Sequence, residues 1–165
     1  MLRIKISAIF FVILFAVTIG AQAFDHKSYP AGDLDKIIAK PKPKKGFDIS
    51  DPEKYCLTVT LESYAETNCG LAGIVKMTMT MLPTVYPKNF QDSIAMAKCI
   101  KVKSAKGVMV TVAIQDPVAD FLPKEVPIGS TFKIYCILMG MASDGPLMLV
   151  NEFEVLPKST AYKAN

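Results

Sequence analysis

Short segments in which apolar and polar residues alternate fill most of the chain after residue 50. In one of them Leu57, Val59 and Leu61 are separated by polar residues. A period of two residues is typical of a β-strand that buries one face. The sequence therefore predicts a series of short strands. The segments that carry them are 57–62, 75–81, 94–103, 108–114, 132–140 and 147–156.

Turn residues separate these segments, and sustained helical periodicity is missing from the core sequence. Lys106-Gly107 indicates a hairpin turn, and the segment 143–146 indicates another. The gap at 116–128 carries three prolines and allows at most a short helix. Six strands joined in this way predict an all-β fold, either a small antiparallel barrel or, as the alternative, an immunoglobulin-like sandwich.

The run from Val126-Pro127-Ile128-Gly129 to Gly140 has the rhythm of a strand that leads through a turn into a closing strand. In this it resembles the C-terminal part of OB-fold (oligonucleotide/oligosaccharide-binding fold) domains, especially small bacterial exported ones. The resemblance covers about residues 93–156 and implies an OB-like barrel. The chain departs from those domains in one respect, because Pro-rich sequence stands where they have a helix before that strand.

The first 23 residues have the three parts of a cleavable secretory signal. A cationic start precedes an almost wholly apolar stretch, 6–19. Small residues at Ala21 and Ala23 match the pattern that signal peptidase accepts, which places cleavage before Phe24. A retained transmembrane anchor is the alternative, but the apolar stretch is shorter than the roughly 20 residues that a span needs. The sequence therefore predicts an exported chain, periplasmic or secreted, with no stable membrane anchor after cleavage of residues 1–23.

Composition divides the remainder of the chain into three parts. Residues 24–50 include alternating Lys and Pro from Lys40 to Lys44. Because Pro lacks a backbone donor and favours an extended chain, this part is predicted to be an N-terminal arm and a Lys/Pro-rich linker outside the core. Residues 51–156 form the predicted β-barrel domain, and 157–165 form a C-terminal tail.

Four cysteines follow the predicted signal: Cys56, Cys69, Cys99 and Cys136. An even number of cysteines in a small exported domain indicates a disulfide framework. Four cysteines allow three pairings, and we favour Cys56–Cys69, which closes a short local loop, with Cys99–Cys136, which joins distant strands. None of them forms a Cys-x-x-Cys motif, so thiol exchange and a zinc ribbon lack their usual signature.

Two features of the sequence suggest metal binding, chiefly of copper. Met77, Met79 and Met81 would lie on one face of an extended strand, and soft thioethers suit Cu(I). The stretch is similar to the Met-x-Met of periplasmic copper-binding OB-fold proteins, which pair it with a His and a Trp, whereas this chain has no Trp and one His, His26. Cleavage before Phe24 would make His26 the third residue, a position at which amine, amides and imidazole can bind Cu(II) or Ni(II). Core packing of flexible Met side chains is the alternative, and no other cofactor is expected.

No catalytic residues are predicted. The single His lies in the predicted arm, which leaves the folded core without a histidine general base for a Ser or Cys nucleophile. Carboxylates are scattered, and no spacing marks a glycosidase-like pair. We therefore expect a non-enzymatic chain, and a small hydrolase that uses carboxylate catalysis is the alternative.

Tyrosines and lysines alternate along parts of the predicted domain and indicate a binding surface. OB-type sheets use stacking and charge in this way to bind oligonucleotides or oligosaccharides. Arginines are few and the mature chain is only weakly basic, which argues against nucleic acid. We expect a protein or glycan partner and a role in binding or envelope assembly, with core aromatics and solvated lysines as the alternative. The candidate surface residues are Tyr55, Tyr64, Lys101, Lys103, Lys133 and Tyr135.

Overall fold

The computed structural model describes residues 24–157, and the chain in this range is mostly β-structure. Its strands are β1 (Phe47–Glu66), β2 (Lys98–Lys103), β3 (Met109–Ile114), β4 (Thr131–Ala142) and β5 (Gly145–Val155). Its helices are a 3-10 turn (His26–Ser28), α1 (Leu34–Ile38), α2 (Gly70–Met81), α3 (Lys88–Ser93) and α4 (Asp116–Glu125). The predicted signal, 1–23, and residues 158–165 of the predicted tail lie outside the described range. Across residues 24–157, none of the helices is both long enough and apolar enough to cross a bilayer.

The five strands form one mixed sheet that closes into a ring in the order β1-β2-β3-β5-β4. β1 serves two neighbours, since its first part pairs with β4 and its last part pairs with β2. Every pair is antiparallel except β3 with β5, where Ala113 and Ile114 lie opposite Leu149 and Val150 in parallel register. The expectation of six antiparallel strands is therefore wrong in number and in direction, and α2 and α4 mean that the all-β description holds only in outline.

Alternate side chains of the ring point inward and form what we call the inner cluster. Leu57, Phe132 and Ile114 belong to it and are each 0% exposed. The period of two predicted for 57–62 is confirmed, because its apolar positions are buried here. For 108–114 it is confirmed from Val110 onward, whereas Val108 precedes the strand and is 44% exposed. Burial of each large side chain stabilises the fold by roughly 1.5–3 kcal/mol.

Two helices close the ends of the ring. Leu34 and Ile37 of α1 belong to the inner cluster with 3% and 2% exposure, and Leu122 of α4 belongs to it with 0% exposure. The side chain of Asp33 accepts a hydrogen bond from the backbone N–H of Asp35, which is the usual way to start a helix. The ring, α1 and α4 together therefore exclude water from the inner cluster.

The expectation that 24–50 stays outside the core is wrong for α1. Asp35 anchors this helix to the β2–β3 turn, where its carboxylate accepts hydrogen bonds from the Ser104 hydroxyl at 2.6 Å and the Lys106 backbone N–H at 3.2 Å. A five-residue helix is too short to fold alone, so tertiary contacts of this kind decide its position. The barrel domain also starts earlier than predicted, because β1 begins at Phe47.

A second hydrophobic layer, the outer cluster, covers part of the opposite face of the sheet. Helix α2 contributes Ala72, Val75 and Met79 to it, and packs against β3 and β5. The strand predicted at 75–81 is therefore wrong. Ala72, Val75 and Met79 also fit the spacing of one helix face, Met is a good helix former, and the apolar outer face of the sheet needs a cover.

The pairing of β1 with β4 is interrupted by a bulge. Gly140 has φ +151°, and a Cβ atom there would lie 2.0 Å from the backbone oxygen of Asp48, so only glycine fits. The register shifts between Ile49 and Glu53, where β1 carries extra residues that β4 does not match. Such bulges redirect side chains, and this one carries Asp51 away from the regular ladder.

Candidate functional site

A cavity of about 980 Å³ lies on the outer face of the ring, beside the outer cluster. Its walls come from the N-terminal segment, the bulge of β1, and the connection that leads from α2 into α3. We call it the aromatic pocket, because four aromatic rings line it. The lining residues are Phe24, Tyr29, Asp51, Pro52, Lys54, Val85, Tyr86, Pro87, Asn89, Phe90, Gln115, Ile137 and Asn151.

The connection from α2 to α3 forms one wall. The backbone N–H of Tyr86 donates to the carbonyl of Leu82 at 2.8 Å and closes a turn after α2. The side-chain amide of Gln91 donates to the carbonyl of Tyr86 at 2.6 Å, so α3 holds this turn in place. The rings of Tyr86 and Phe90 stack with 5.8 Å between their centroids. Short local contacts therefore position two of the four rings.

A disulfide fixes this wall to the barrel. Cys69 immediately precedes α2, and its bond to Cys99 of β2 joins Cα atoms 5.8 Å apart. The backbone N–H of Cys69 also donates to the carbonyl of Ala97 at 3.1 Å. The closed loop spans 30 residues and contains α2, α3 and the connection between them. The disulfide therefore confines the cover of the outer cluster, and with it one wall of the aromatic pocket.

The other two cysteines are thiols, Cys56 partly exposed and Cys136 buried. Cys56 lies directly opposite Tyr135, the neighbour of Cys136, so the two thiols are on opposite faces of the sheet. Burial raises the pKa of the Cys136 thiol well above its usual range. The favoured pairings are therefore wrong, because Cys69 and Cys99 pair with each other at the contact of α2 with β2.

The N-terminal segment forms a second wall by packing its rings on β4. The ring centroids of Phe24 and Tyr29 are 5.1 Å apart, and those of His26 and Tyr135 are 4.6 Å apart. The Lys54 ammonium lies 5.3 Å from the centroid of the Tyr29 ring, within the range of a cation–π interaction. Contacts of this kind between side chains hold the rings of Phe24 and Tyr29 at the pocket.

A chain of hydrogen bonds runs along the sheet side of the pocket. The Gln115 side-chain amide donates to Oδ1 of Asn151 at 2.8 Å, and Nδ2 of Asn151 donates to the Tyr29 hydroxyl at 2.9 Å. The Tyr86 hydroxyl is buried and has no hydrogen-bond partner among the described residues. Burial is the main cause that raises the pKa of Tyr29, and it raises the pKa of Tyr86 to about 12. Both phenols therefore stay protonated at neutral pH.

The predicted binding surface is spread over several parts of the molecule. Its three lysines each pair with a glutamate, with N–O distances of 2.9, 2.5 and 3.0 Å. Tyr55 and Tyr64 pack against the inner cluster, whereas Tyr135 lies on the outer face and donates to Glu154. The structure thus does not bring the six residues together, and their role in binding stays a prediction.

The three methionines proposed as copper ligands do not converge. Because 75–81 is helical, Met79 packs into the outer cluster with 1% exposure, while Met77 and Met81 are 39% and 54% exposed. Residues two positions apart on a helix point in nearly opposite directions. Within residues 24–157, no three His, Cys, Asp or Glu side chains are grouped so that they could hold a metal ion.

His26 is held by contacts of its own. Its backbone N–H donates to the carbonyl of Phe24 at 3.0 Å, and its ring packs edge-on against Tyr135. An N-terminal Cu(II) site would need that backbone nitrogen as a ligand, so the segment would have to give up this turn. The N-terminal copper site stays a prediction.

Tyr86 and Phe90 stand among the aromatics of the sequence, but no sequence pattern links them to Gln115 and Asn151. One signal for the outer cluster is present, because residues 134–142 are apolar without interruption. A strand with such a sequence is buried on both faces and needs a cover on the outside.

No family model, no curated protein and no solved structure matches the chain, so only its own geometry bears on its function.

Proposed function

We propose that this chain is a non-enzymatic exported binding module, built on an OB-like barrel, and that the aromatic pocket holds a protein or glycan partner, for example during envelope assembly. The observation that carries the proposal is the pocket itself. It combines a volume of about 980 Å³ with four aromatic rings and a few polar groups. Concave sites of this size with mostly apolar walls are the usual form of a ligand site.

The order of the strands supports an OB-like barrel. OB-folds have five strands, and this ring has five, with a helix, α4, between β3 and β4. OB-folds have a helix before this strand, and the Pro-rich sequence there suggested that this chain lacks one, but α4 occupies that place. Pro117 lies in the first turn of α4, where proline is tolerated, and Pro123 lies inside the helix, two residues before its end.

The chemistry of the lining supports binding more than catalysis. Its amides, Asn89, Gln115 and Asn151, do not titrate, and its phenols have raised pKa values. Groups of this kind donate and accept hydrogen bonds well, but transfer protons poorly at neutral pH. The lining also carries one ammonium group and one carboxylate, those of Lys54 and Asp51, so it does not select a strongly charged ligand.

The disulfide and the amino-terminal sequence support export. A bond such as Cys69–Cys99 persists in oxidising compartments and is rare in the cytosol. Expression of the full chain in a bacterium, followed by fractionation and mass spectrometry, tests this part of the proposal. We expect the mature protein in the periplasm or the medium with Phe24 as its first residue. Retention of residues 1–23 on the protein would contradict it.

A fluorescent probe tests the pocket. 1-Anilinonaphthalene-8-sulfonate brightens in apolar sites, and we expect it to bind the folded mature protein. Phe90→Glu puts a charge on the apolar lining and should weaken this binding about tenfold. Phe121→Glu is the matched control, because Phe121 is a similarly exposed ring that lies on α4, away from the pocket. Equal loss in both variants, or no loss in either with circular dichroism unchanged, would refute the pocket as the site.

A further inference from the structure

We propose that residues 24–30, which we call the N-terminal strap, form a displaceable lid of the aromatic pocket. In a minor state of the free protein the strap leaves the sheet, and a ligand that fills the pocket holds it closed. The inference rests on the proposed function and describes how that site responds to its ligand. Three features support it: the light attachment of the strap, the ring that it covers, and the unequal fixing of the two pocket walls.

The strap is attached through surface contacts. None of residues 24–30 is buried, and the 3-10 turn within them contributes nothing to either cluster. Tyr29 makes its main contacts with the sheet. The hydroxyl of Tyr29 accepts a hydrogen bond from Asn151 at 2.9 Å, and its ring centroid lies 5.3 Å from the Lys54 ammonium. Segments that bury so little surface open locally at a low cost in free energy, while the rest of the protein stays folded.

The strap joins the barrel at a firmly packed point. Gly32 lies so close to β1 that a Cβ atom there would be 2.6 Å from Cδ1 of Tyr55. The backbone N–H of Gly32 donates to the carbonyl of Cys56 at 2.9 Å, and the N–H of Cys56 donates to the carbonyl of Pro30 at 2.8 Å. Helix α1 follows at once and packs into the inner cluster. The strap can therefore move about Ala31 while Gly32 and α1 stay in place.

The strap covers one ring on the outer face of the sheet. Tyr135 lies on this face, yet it is 4% exposed. Three rings of the strap surround it, and their centroids lie 5.5 Å (Phe24), 4.6 Å (His26) and 5.8 Å (Tyr29) from that of Tyr135. Displacement of the strap would uncover Tyr135 and open the pocket on the side that Phe24 and Tyr29 line. The cost of exposing these rings keeps the closed state the major one in the free protein.

The two walls of the pocket are held by different means. The wall with Tyr86 and Phe90 belongs to the loop that the Cys69–Cys99 disulfide closes. The strap lies outside this loop and is held by ring contacts and hydrogen bonds, so it is the wall that moves more easily. A ligand that fills the pocket touches both walls. It therefore binds the closed state more tightly than the open state and shifts the population towards closure.

Hydrogen exchange at two neighbouring amides tests the lid, in nuclear magnetic resonance experiments on the protein that starts at Phe24. The N–H of Cys56 donates to the strap, whereas the N–H of Leu57 points to the other side of β1, where β4 runs. Opening of the strap frees only the first of these groups. In the free protein we expect the protection factor of Cys56 to be at least about tenfold lower than that of Leu57.

A variant of the strap makes this comparison sharper. Tyr29→Ala removes ring contacts and a hydrogen bond, so it should lower the protection of Cys56 by about a further tenfold and leave Leu57 unchanged. Phe121→Ala is the matched control, because it removes an exposed ring on α4, away from the pocket. It should change neither amide.

The response to a ligand tests the coupling. The first probe is 1-anilinonaphthalene-8-sulfonate, whose fluorescence reports its own binding. The second is acetyl-Gly-Phe-Gly-amide, a small model of a protein partner, whose binding is read from displacement of the first. Either probe, once bound, should raise the protection of Cys56 in the wild type by about tenfold, because it selects the closed state.

The other outcomes overturn different parts of the account. Equal protection of Cys56 and Leu57 in the free protein would refute a displaceable strap, since both amides would then open only together. Probes that bind but leave the protection of Cys56 unchanged would refute the coupling and leave the proposed function standing. If neither probe binds, the proposed function fails and the coupling fails with it. The comparison in the free protein then decides separately whether the strap opens.

Discussion

The two faces of the same sheet are buried in different ways. The inner cluster is enclosed by the ring itself and by α1 and α4, and Leu57 and Phe132 in it are 0% exposed. The outer cluster is covered by a single excursion of the chain, which the Cys69–Cys99 disulfide holds in place. Beside this cover the aromatic pocket stays open, and the buried hydroxyl of its lining residue Tyr86 has no hydrogen-bond partner within residues 24–157.

This difference separates stability from function. A closed core without gaps gains the full benefit of burial and dispersion, and it tolerates few changes. A cover that leaves a cavity of about 980 Å³ gives up part of that gain and provides space for a ligand. Natural proteins commonly place binding groups on loops that a rigid scaffold positions, and the outer side of this molecule follows that arrangement.

The largest effect should follow a change in the inner cluster. Phe132→Ala removes a ring that is 0% exposed, so it deletes apolar contacts and leaves a cavity. We expect the free energy of unfolding to fall by about 3–5 kcal/mol, as measured in urea titrations followed by circular dichroism. Phe121→Ala is the control, because Phe121 is 55% exposed and should cost less than about 0.5 kcal/mol. Similar losses in both variants would remove the distinction between the sealed core and the surface.

The disulfide should matter next. The double change Cys69→Ser and Cys99→Ser opens a loop of 30 residues. The added entropy of the unfolded chain should lower the free energy of unfolding by about 3–4 kcal/mol. Hydrogen exchange should speed up most in 70–93, because the bond confines the cover, and should change less in the strands. Cys56→Ser, at a cysteine that is a thiol in the fold, serves as the control. Uniform loss of protection over both clusters would show that they unfold as one unit.

Two tyrosine hydroxyl groups, one hydrogen-bonded and one not, allow a finer comparison of the two sides of the sheet. The Tyr64 hydroxyl donates to the carbonyl of Val126 at 3.1 Å, whereas the Tyr86 hydroxyl has no partner among the described residues. Tyr64→Phe should therefore lower the free energy of unfolding by about 1 kcal/mol, and Tyr86→Phe should leave it equal or raise it. Urea titrations of both variants measure this. A clear loss in Tyr86→Phe would mean that its hydroxyl is satisfied in the free protein.

The effect that is smallest near neutral pH is a dependence on alkaline pH. Burial raises the pKa of Tyr86 from its ordinary 10.0 to about 12, which means that the folded state favours the protonated phenol. Its contribution to stability is therefore complete below pH 10 and is lost as the pH rises towards about 12. The difference in unfolding free energy between the wild type and Tyr86→Phe, followed over this range, isolates Tyr86 from the lysines. A constant difference would contradict the raised pKa.

The inner cluster could be predicted from the sequence, and the outer side could not. Leu57, Val59 and Leu61 alternate with polar residues because one face of their strand meets the core, and this local pattern needs no knowledge of the fold. The segment 75–81 alternates as well, yet it is helical, since its apolar positions also fit one face of α2. The choice between strand and helix for this segment depends on the apolar outer faces of β3 and β5, which a helix covers. These faces form only when the ring closes.

The site depends even more on tertiary structure. Gln115 and Asn151 are 36 positions apart and meet at 2.8 Å, because β3 and β5 run side by side. The pairing of Cys69 with Cys99 likewise follows from where α2 packs on the barrel. Sequence distance alone suggested Cys56–Cys69 and Cys99–Cys136 instead. The predicted export signal is a local pattern of the sequence, and its prediction rests on residues 1–23 alone.

The most direct test of the central claim is hydrogen exchange of the protein that starts at Phe24, the predicted mature form, measured by mass spectrometry with and without saturating acetyl-Gly-Phe-Gly-amide. The claim is that ligands bind at the outer side, in the aromatic pocket beside the cover that the disulfide holds. We predict slower exchange in 82–93 and near Lys54, with no change at Lys101 and Lys103 of β2. Slower exchange confined to β2 and β3, with 82–93 unchanged, would contradict the claim and move the site to the surface that the lysines mark.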